Sequence, residues 1–232
     1  MGYAIMRFRK IKSILTLNGL QRHNERKVPI KTLTHPENTN VNILTPEISL
    51  NCQNKTFSTI LKEKTEGSKI RKNAVLGLEF IMAFTPGCVV EENLKAWSIA
   101  SAKFLIEWFG ESNVISIIGH NDEGNYHLHV TVLPIVNGRL NCKKFINGPA
   151  SCRAMQDAYY EAVKDFGNLK RGVNSKITGR IHESNKRWMA ENAEKEAELL
   201  AYRKTFGIYE EWDMETRLNF DSSNFQLSDI AI

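Results

Sequence analysis

The stretch from Val114 to Pro134 constrains the fold more than any other part of this chain. Val114 to Gly119 is a short apolar run ending at His120, Asn121–Asn125 is polar, and Tyr126–Pro134 returns with Val130, Val132 and Leu133. Two apolar runs of strand length around a short turn pair antiparallel, so a hairpin inside a sheet is predicted. Residues two apart on a strand share a face. His127 and His129 therefore project together, and the turn brings His120 opposite them. Three of the chain's six histidines fall in these ten positions. Three converging imidazoles make a metal site with coordination positions left for water or substrate. The plainer alternative is a set of surface histidines on a solvated strand. The apolar flanks argue against it, because unpaired polar side chains on a half-buried strand are costly. Asp122 and Glu123 lie in the turn. A carboxylate there would orient an imidazole N–H, act as a base beside a metal, or simply face water.

The remaining segments supply a sheet and its cover. Tyr3-Ala4-Ile5-Met6-Arg7-Phe8 alternates as a strand, followed by a basic stretch and the polar cluster Arg22-His23-Asn24-Glu25-Arg26-Lys27. Residues 31–56, rich in Thr, Asn and Pro, predict a long irregular connection. Ala74–Phe84 predicts a second strand, closed by Thr85-Pro86-Gly87. Leu94, Trp97, Phe104, Leu105 and Trp108 share one face of a helix over Glu91–Phe109, with Gly110 as its stop. Asn137-Gly138 marks a hairpin turn. Ser151–Phe166 predicts a second helix and Lys186–Lys204 a long one, before an acidic, frayed end. The order strand, irregular segment, strand, helix, hairpin, helix gives an α+β fold, an antiparallel sheet covered by helices.

Composition limits the classes open to such a fold. Hydrophobic residues make up 42% and charged residues 25%, as in an ordinary soluble protein. The longest apolar run, Ala74–Phe84, is broken by Glu79 and is too short to span a bilayer. No secretory signal is expected, and four cysteines without a CxxC pair point to a reduced, cytoplasmic setting. Charge is uneven: residues 1–31 are +7, residues 32–190 are +4 and residues 191–232 are −6. A basic body with an acidic tail suits a polyanion ligand such as DNA, although a solvated surface has the same composition.

These residues together resemble the Pre/Mob plasmid mobilisation and recombination relaxases, the MobV type of the HUH endonucleases. The family pattern H-x-D-E-x-x-P-H-x-H is matched by His120 to His129, with Tyr126 at the proline position. MGYAIMRFRKIK followed by His23-Asn24-Glu25-Arg26 is similar to the family's first strand and H-N-E-R motif. Lys69-Ile70-Arg71-Lys72-Asn73 resembles its basic segment before the second strand. Phe166-Gly167-Asn168-Leu169-Lys170-Arg171-Gly172 resembles its F-G-L-x-R-G segment with one residue inserted. The family's asparagine-tyrosine motif is missing, since the corresponding stretch reads Val41-Asn42-Ile43-Leu44.

The resemblance implies a five-stranded antiparallel sheet with helices over residues 1–185 and a helical extension over 186–232. It implies strand-specific nicking and rejoining of DNA at an origin of transfer, through a 5′-phosphoryl-histidine bond, for mobilisation or plasmid recombination. By motif position the nucleophile is His23; the competing tyrosines are Tyr3 and Tyr126. His120, His127 and His129 hold the metal. By affinity three imidazoles favour zinc, nickel or copper, whereas the resemblance points to manganese or magnesium. Arg22 and Arg26 would keep His23 neutral, and Arg26 and Arg71 would stabilise charge on the phosphoryl oxygens. Glu123 would orient or deprotonate His23, or hold a ligand. Arg22, Lys27, Lys69, Lys72, Lys170 and Arg171 are the candidate DNA contacts. Expected partners are single-stranded or supercoiled origin DNA and accessory mobilisation or coupling proteins. The Lys186–Lys204 helix is as suited to joining a homodimer as to packing on its own sheet. The competing readings are an HUH replication initiator, a DNA-binding relic of the family that no longer cleaves, and a hydrolase of small phosphoesters.

Overall fold

The computed structural model describes residues 2–28, 55–122, 125–173 and 177. One compact unit spans Met1–Arg171, and all that follows concerns it. The expected helix Lys186–Lys204, the acidic end and most of the connection over residues 31–56 lie outside the described residues.

Five strands form the main sheet, in the spatial order β3-β4-β2-β1-β7. They are β1 (Tyr3–Ile11), β2 (Gly77–Phe84), β3 (Val114–His120), β4 (His127–Val132) and β7 (Lys170–Arg171). The first four pair antiparallel. The two-residue β7 runs parallel to β1, Tyr3 against Lys170 and Ala4 against Arg171, so the sheet is mixed at this one edge. The approach there is close: a Cβ on Gly167 would fall 2.2 Å from the Cys88 carbonyl oxygen. A small hairpin, β5 (Ile135–Val136) and β6 (Arg139–Leu140), turns at Asn137-Gly138 as expected.

Alternation divides the sheet into two faces. Met6, Leu78, Phe80, Met82, Leu128, Val130 and Val132 point to one side, where α3 (Glu91–Phe109) and α5 (Gly148–Val163) cover them with Trp97, Leu105, Met155 and Tyr159. α3 has the expected bounds and ends at Gly110, whose φ of 86° suits glycine. α5 starts three residues earlier than expected, because Pro149 sits in its first turn, where a missing N–H costs nothing. A short α4 (Cys142–Phe145) precedes it. Phe80 is fully buried, with its ring 5.4 Å from those of Phe8 and Phe109. Phe80→Ala is expected to cost about 3–5 kcal/mol, lowering the thermal midpoint by roughly 10 °C in a melting experiment.

Two helices that the sequence did not announce cover the opposite face. α1 (Ile14–Asn24) starts at Ser13, whose hydroxyl accepts from the Thr16 N–H, and α2 (Phe57–Lys64) starts at Thr56, which accepts from Thr59. Leu17, Leu20, Phe57, Ile60 and Leu61 form a smaller core with Ile11, Leu76, Ile115 and Leu133. Polar pairs lock the two helices in register. The Ser58 N–H donates to Asn18 Oδ1 at 3.1 Å, and the Phe57 N–H donates to buried Gln21 Oε1 at 2.9 Å. His23 therefore sits in the last turn of a packed helix, not in a polar loop.

Candidate functional site

The sheet register brings the histidines together as the spacing predicted. His120 pairs with His127 across β3 and β4, and His129 lies two residues on, on the same face. One ligand nitrogen from each lies within 4.8 Å of the others. His120 and His129 are buried and His127 is half-buried.

Hydrogen bonds fix which nitrogen of each ring carries a lone pair. His120 Nε2 lies 2.9 Å from the Asn24 carbonyl oxygen. A carbonyl only accepts, so Nε2 holds the proton and the buried, unpartnered Nδ1 holds the lone pair. By the same reasoning His127 Nδ1 donates to the Asn125 carbonyl at 2.8 Å, and His129 Nδ1 donates to Glu79 Oε1 at 3.0 Å. That leaves both Nε2 atoms as acceptors, yet they face each other at 3.1 Å. Two imidazole lone pairs at that separation repel unless a cation lies between them. The donor set thus fits a divalent metal ion. Burial, with the neighbouring Arg26 charge and against the Asn24 hydrogen bond, pushes the His120 pKa down to about 3, so this ring stays neutral and able to ligate.

Glu79 is the residue the sequence reading passed over. It sits on β2 opposite Thr131 and Arg9, diagonal to His129 on the same face. Burial pushes its carboxyl up, but the hydrogen bonds from His129 and Arg9, with the Arg9 charge, more than offset this, holding it below the usual carboxylate range. Arg9, whose side chain is 61% exposed, is its second partner. For His129 the imidazole-orienting carboxylate comes from a strand 50 residues away. Its sequence signal was a charge inside an apolar run. Glu79→Gln, which keeps an acceptor and removes the charge, is expected to weaken Mn²⁺ binding about tenfold, as read by titration calorimetry.

His23 closes the constellation. Its ring centroid lies 5.8 Å from that of His129 and 6.2 Å from that of His120, edge-on to both. Asp122 is fully buried and engages Arg26: Arg26 Nε donates to Oδ2 at 2.8 Å, and Nη2 pairs with Oδ1. Burial raises the Asp122 carboxyl, but the Arg26 hydrogen bond and charge hold it below its ordinary value. Arg26, expected to face phosphoryl oxygens and to keep His23 neutral, thus has its charge matched by a carboxylate. Glu123 lies outside the described residues.

The tyrosines separate clearly. Tyr126 stacks on Phe84 and meets Trp97, its hydroxyl is 3.0 Å from Ser98 on α3, and burial raises its pKa. It belongs to the core, and Tyr3 opens β1 beside β7. Of the expected DNA contacts, Arg22, Lys69, Lys72 and Lys170 are exposed, as is Arg71 in the turn before β2. Lys27 pairs with Glu25 and Arg171 with Asp157. Lys170 and Arg171 lie on β7, three strands from β4, or about 15 Å at the usual strand spacing. The register adds Arg7 and Arg9, which alternate on the triad's face of β1.

Comparison with known proteins places these features in context. A family model described as plasmid recombination enzyme matches residues 1–190. Plasmid recombination enzyme type 3 of Mammaliicoccus lentus is 28% identical over 194 residues, covering 79% of this chain and 46% of the relative. The chain thus spans about half the length of the curated relatives it matches. Among solved structures, the Mn-bound MobM relaxase domain (MOBV; Mob_Pre) on plasmid pMV158 oriT DNA superposes with a TM-score of 0.69 at 24% identity, covering 82% of this chain and 98% of that one. A second Mn-bound form of the same domain, on 23 nucleotides of that DNA, gives 0.67 at 27% identity, covering 81% and 98%.

Proposed function

Because the chain belongs to the plasmid recombination enzyme family, we propose that it is a relaxase that nicks and rejoins one DNA strand at the origin of a mobile element. The observation that carries this reading is the His23 ring, held beside three imidazole lone pairs that converge without a proton.

A neutral His23 nitrogen attacks the scissile phosphorus, and the bond from phosphorus to the 3′ oxygen breaks. That oxygen leaves with the electron pair and takes up a proton, while the 5′ phosphate stays on the imidazole. The other imidazole nitrogen gives up its proton, to Glu123 where that residue serves as the base rather than orienting His23 or holding a ligand. Attack by a 3′ hydroxyl runs the same changes in reverse and rejoins the strand. His120, His127 and His129 would hold a divalent cation, manganese or magnesium, which when bound polarises the phosphate as a Lewis acid. Glu79 orients the ring of His129, and Arg71 offers charge to the phosphoryl oxygens. Arg7, Arg9, Arg22, Lys69, Lys72 and Lys170 line the strand's path, with Lys27 and Arg171 exchanging carboxylates for phosphates. Residues 1–185 form the catalytic domain, which works in the cytoplasm with accessory mobilisation or coupling proteins; residues 186–232 lie outside the described residues. Among the described residues no helix is long and apolar enough to cross a membrane.

The test is supercoiled DNA from the chain's own element, incubated with the protein and Mn²⁺. The expected result is nicked circles carrying protein through an acid-labile bond. An acid-stable adduct would move the nucleophile to a tyrosine. Tight DNA binding without nicking would make the chain a relic of its family.

A further inference from the structure

The last turn of α1 ends in a way that glycine normally provides. The Lys27 N–H donates to the Arg22 carbonyl at 2.8 Å and the Arg26 N–H to the His23 carbonyl at 3.1 Å. This is the Schellman pattern, with Arg26 at the residue that must be left-handed. Arg26 has a φ of 54°, a conformation that costs an L residue with a side chain and costs glycine nothing. Something must therefore hold Arg26 there. Its guanidinium is forked onto Asp122, with side chains 10% and 0% exposed, and Nη1 reaches back to the His23 carbonyl at 3.4 Å.

Asp122 comes two residues after His120, which itself donates to the Asn24 carbonyl at 2.9 Å. The end of β3 thus grips the end of α1 at residue 24 and at residue 26, and His23 lies in the turn they hold. We propose that Asp122 is a positioning residue that sets His23 against the histidine triad by holding Arg26 in the left-handed conformation. The proposal rests on the relaxase reading for what His23 does, and on the structure alone for how it is held. Helix ends fray unless tied. A nucleophile displaced by about 1 Å loses on the order of 10²-fold in rate.

The consequence is unusual: the defect of Asp122→Asn should be suppressed by glycine at its partner. Asp122→Asn is expected to slow nicking of saturating single-stranded origin DNA about 100-fold, with the affinities for DNA and Mn²⁺ within about threefold of the parent. Adding Arg26→Gly supplies the left-handed turn without the clamp and removes the uncompensated charge, so at least tenfold of the rate returns. Hydrogen exchange gives a readout independent of nicking. The amides of Arg26 and Lys27 should exchange at least tenfold faster in Asp122→Asn and regain protection in the double variant, while Leu17 and Leu20 stay protected. No recovery on adding Arg26→Gly would assign the guanidinium a direct role on the phosphate and overturn the proposal. So would a loss that higher DNA concentration restores, or unchanged exchange in Asp122→Asn. If the parent chain binds DNA and Mn²⁺ but never nicks, the relaxase reading fails, and exchange alone decides whether Asp122 holds the turn.

Discussion

His23→Ala is expected to abolish both the protein–DNA adduct and strand nicking, by on the order of 10⁴-fold or more. Removing a covalent nucleophile leaves only binding and electrostatic stabilisation, and losses of that size follow. The side chain is half-buried beside the triad, and neither apolar core of the described residues includes it. The variant should therefore keep its thermal midpoint and its affinity for Mn²⁺. A gel assay for nicked circles, run beside a melting curve, checks both halves. Nicking retained at more than a few per cent of the parent rate would show that water or a tyrosine attacks. A hydrolase of small phosphoesters, which needs only the triad, predicts that retained activity.

His127→Ala should act with opposite signs in the presence and absence of metal. Without metal, Nε2 of His127 faces Nε2 of His129 at 3.1 Å, lone pair to lone pair. Truncating the half-buried ring removes that repulsion, which outweighs the hydrogen bond it gives up to the Asn125 carbonyl, and leaves buried His129 on Glu79. The metal-free variant should thus melt no lower than the parent. With metal the order reverses. At a concentration about 100 times its Kd, a ligand stabilises the folded state by about 2.7 kcal/mol, which for a domain of this size is roughly 5–10 °C. The parent should show that rise with Mn²⁺ and His127→Ala should not. A metal-free variant melting well below the parent would mean that the two rings are not in conflict, so that nothing in their geometry calls for a cation.

The parts of the site legible in the sequence were those whose partners are near in the chain. His120, His127 and His129 could be placed on one face because strand alternation and a short turn are local facts. The same held for α3, whose apolar positions repeat over nineteen residues. α1 was not legible, because only Leu17 and Leu20 of its buried residues are apolar and Gln21 and Asn24 are buried as well. Its helical face is polar in part because Asn18 and Gln21 hydrogen-bond to α2. Glu79 and Asp122 were visible as carboxylates, but their partners are not. His129 is 50 residues from Glu79, and Arg26 is 96 residues from Asp122. Which carboxylate serves which cation is decided by strand register and by where α1 ends, and neither is written in local spacing.

The two cores described above divide the chemistry between two packing units that meet at the end of α1. The triad stands on the sheet, whose other side is fixed by the larger core under α3 and α5. The attacking ring arrives on α1, which rests on the smaller core shared with α2. Selection can therefore rework the helical layer, and with it the reach of the attacking group, so long as the two grips from the end of β3, His120 on Asn24 and Asp122 on Arg26, are kept. A scaffold divided in this way can re-aim its nucleophile over generations while its electrophilic pole stays unchanged.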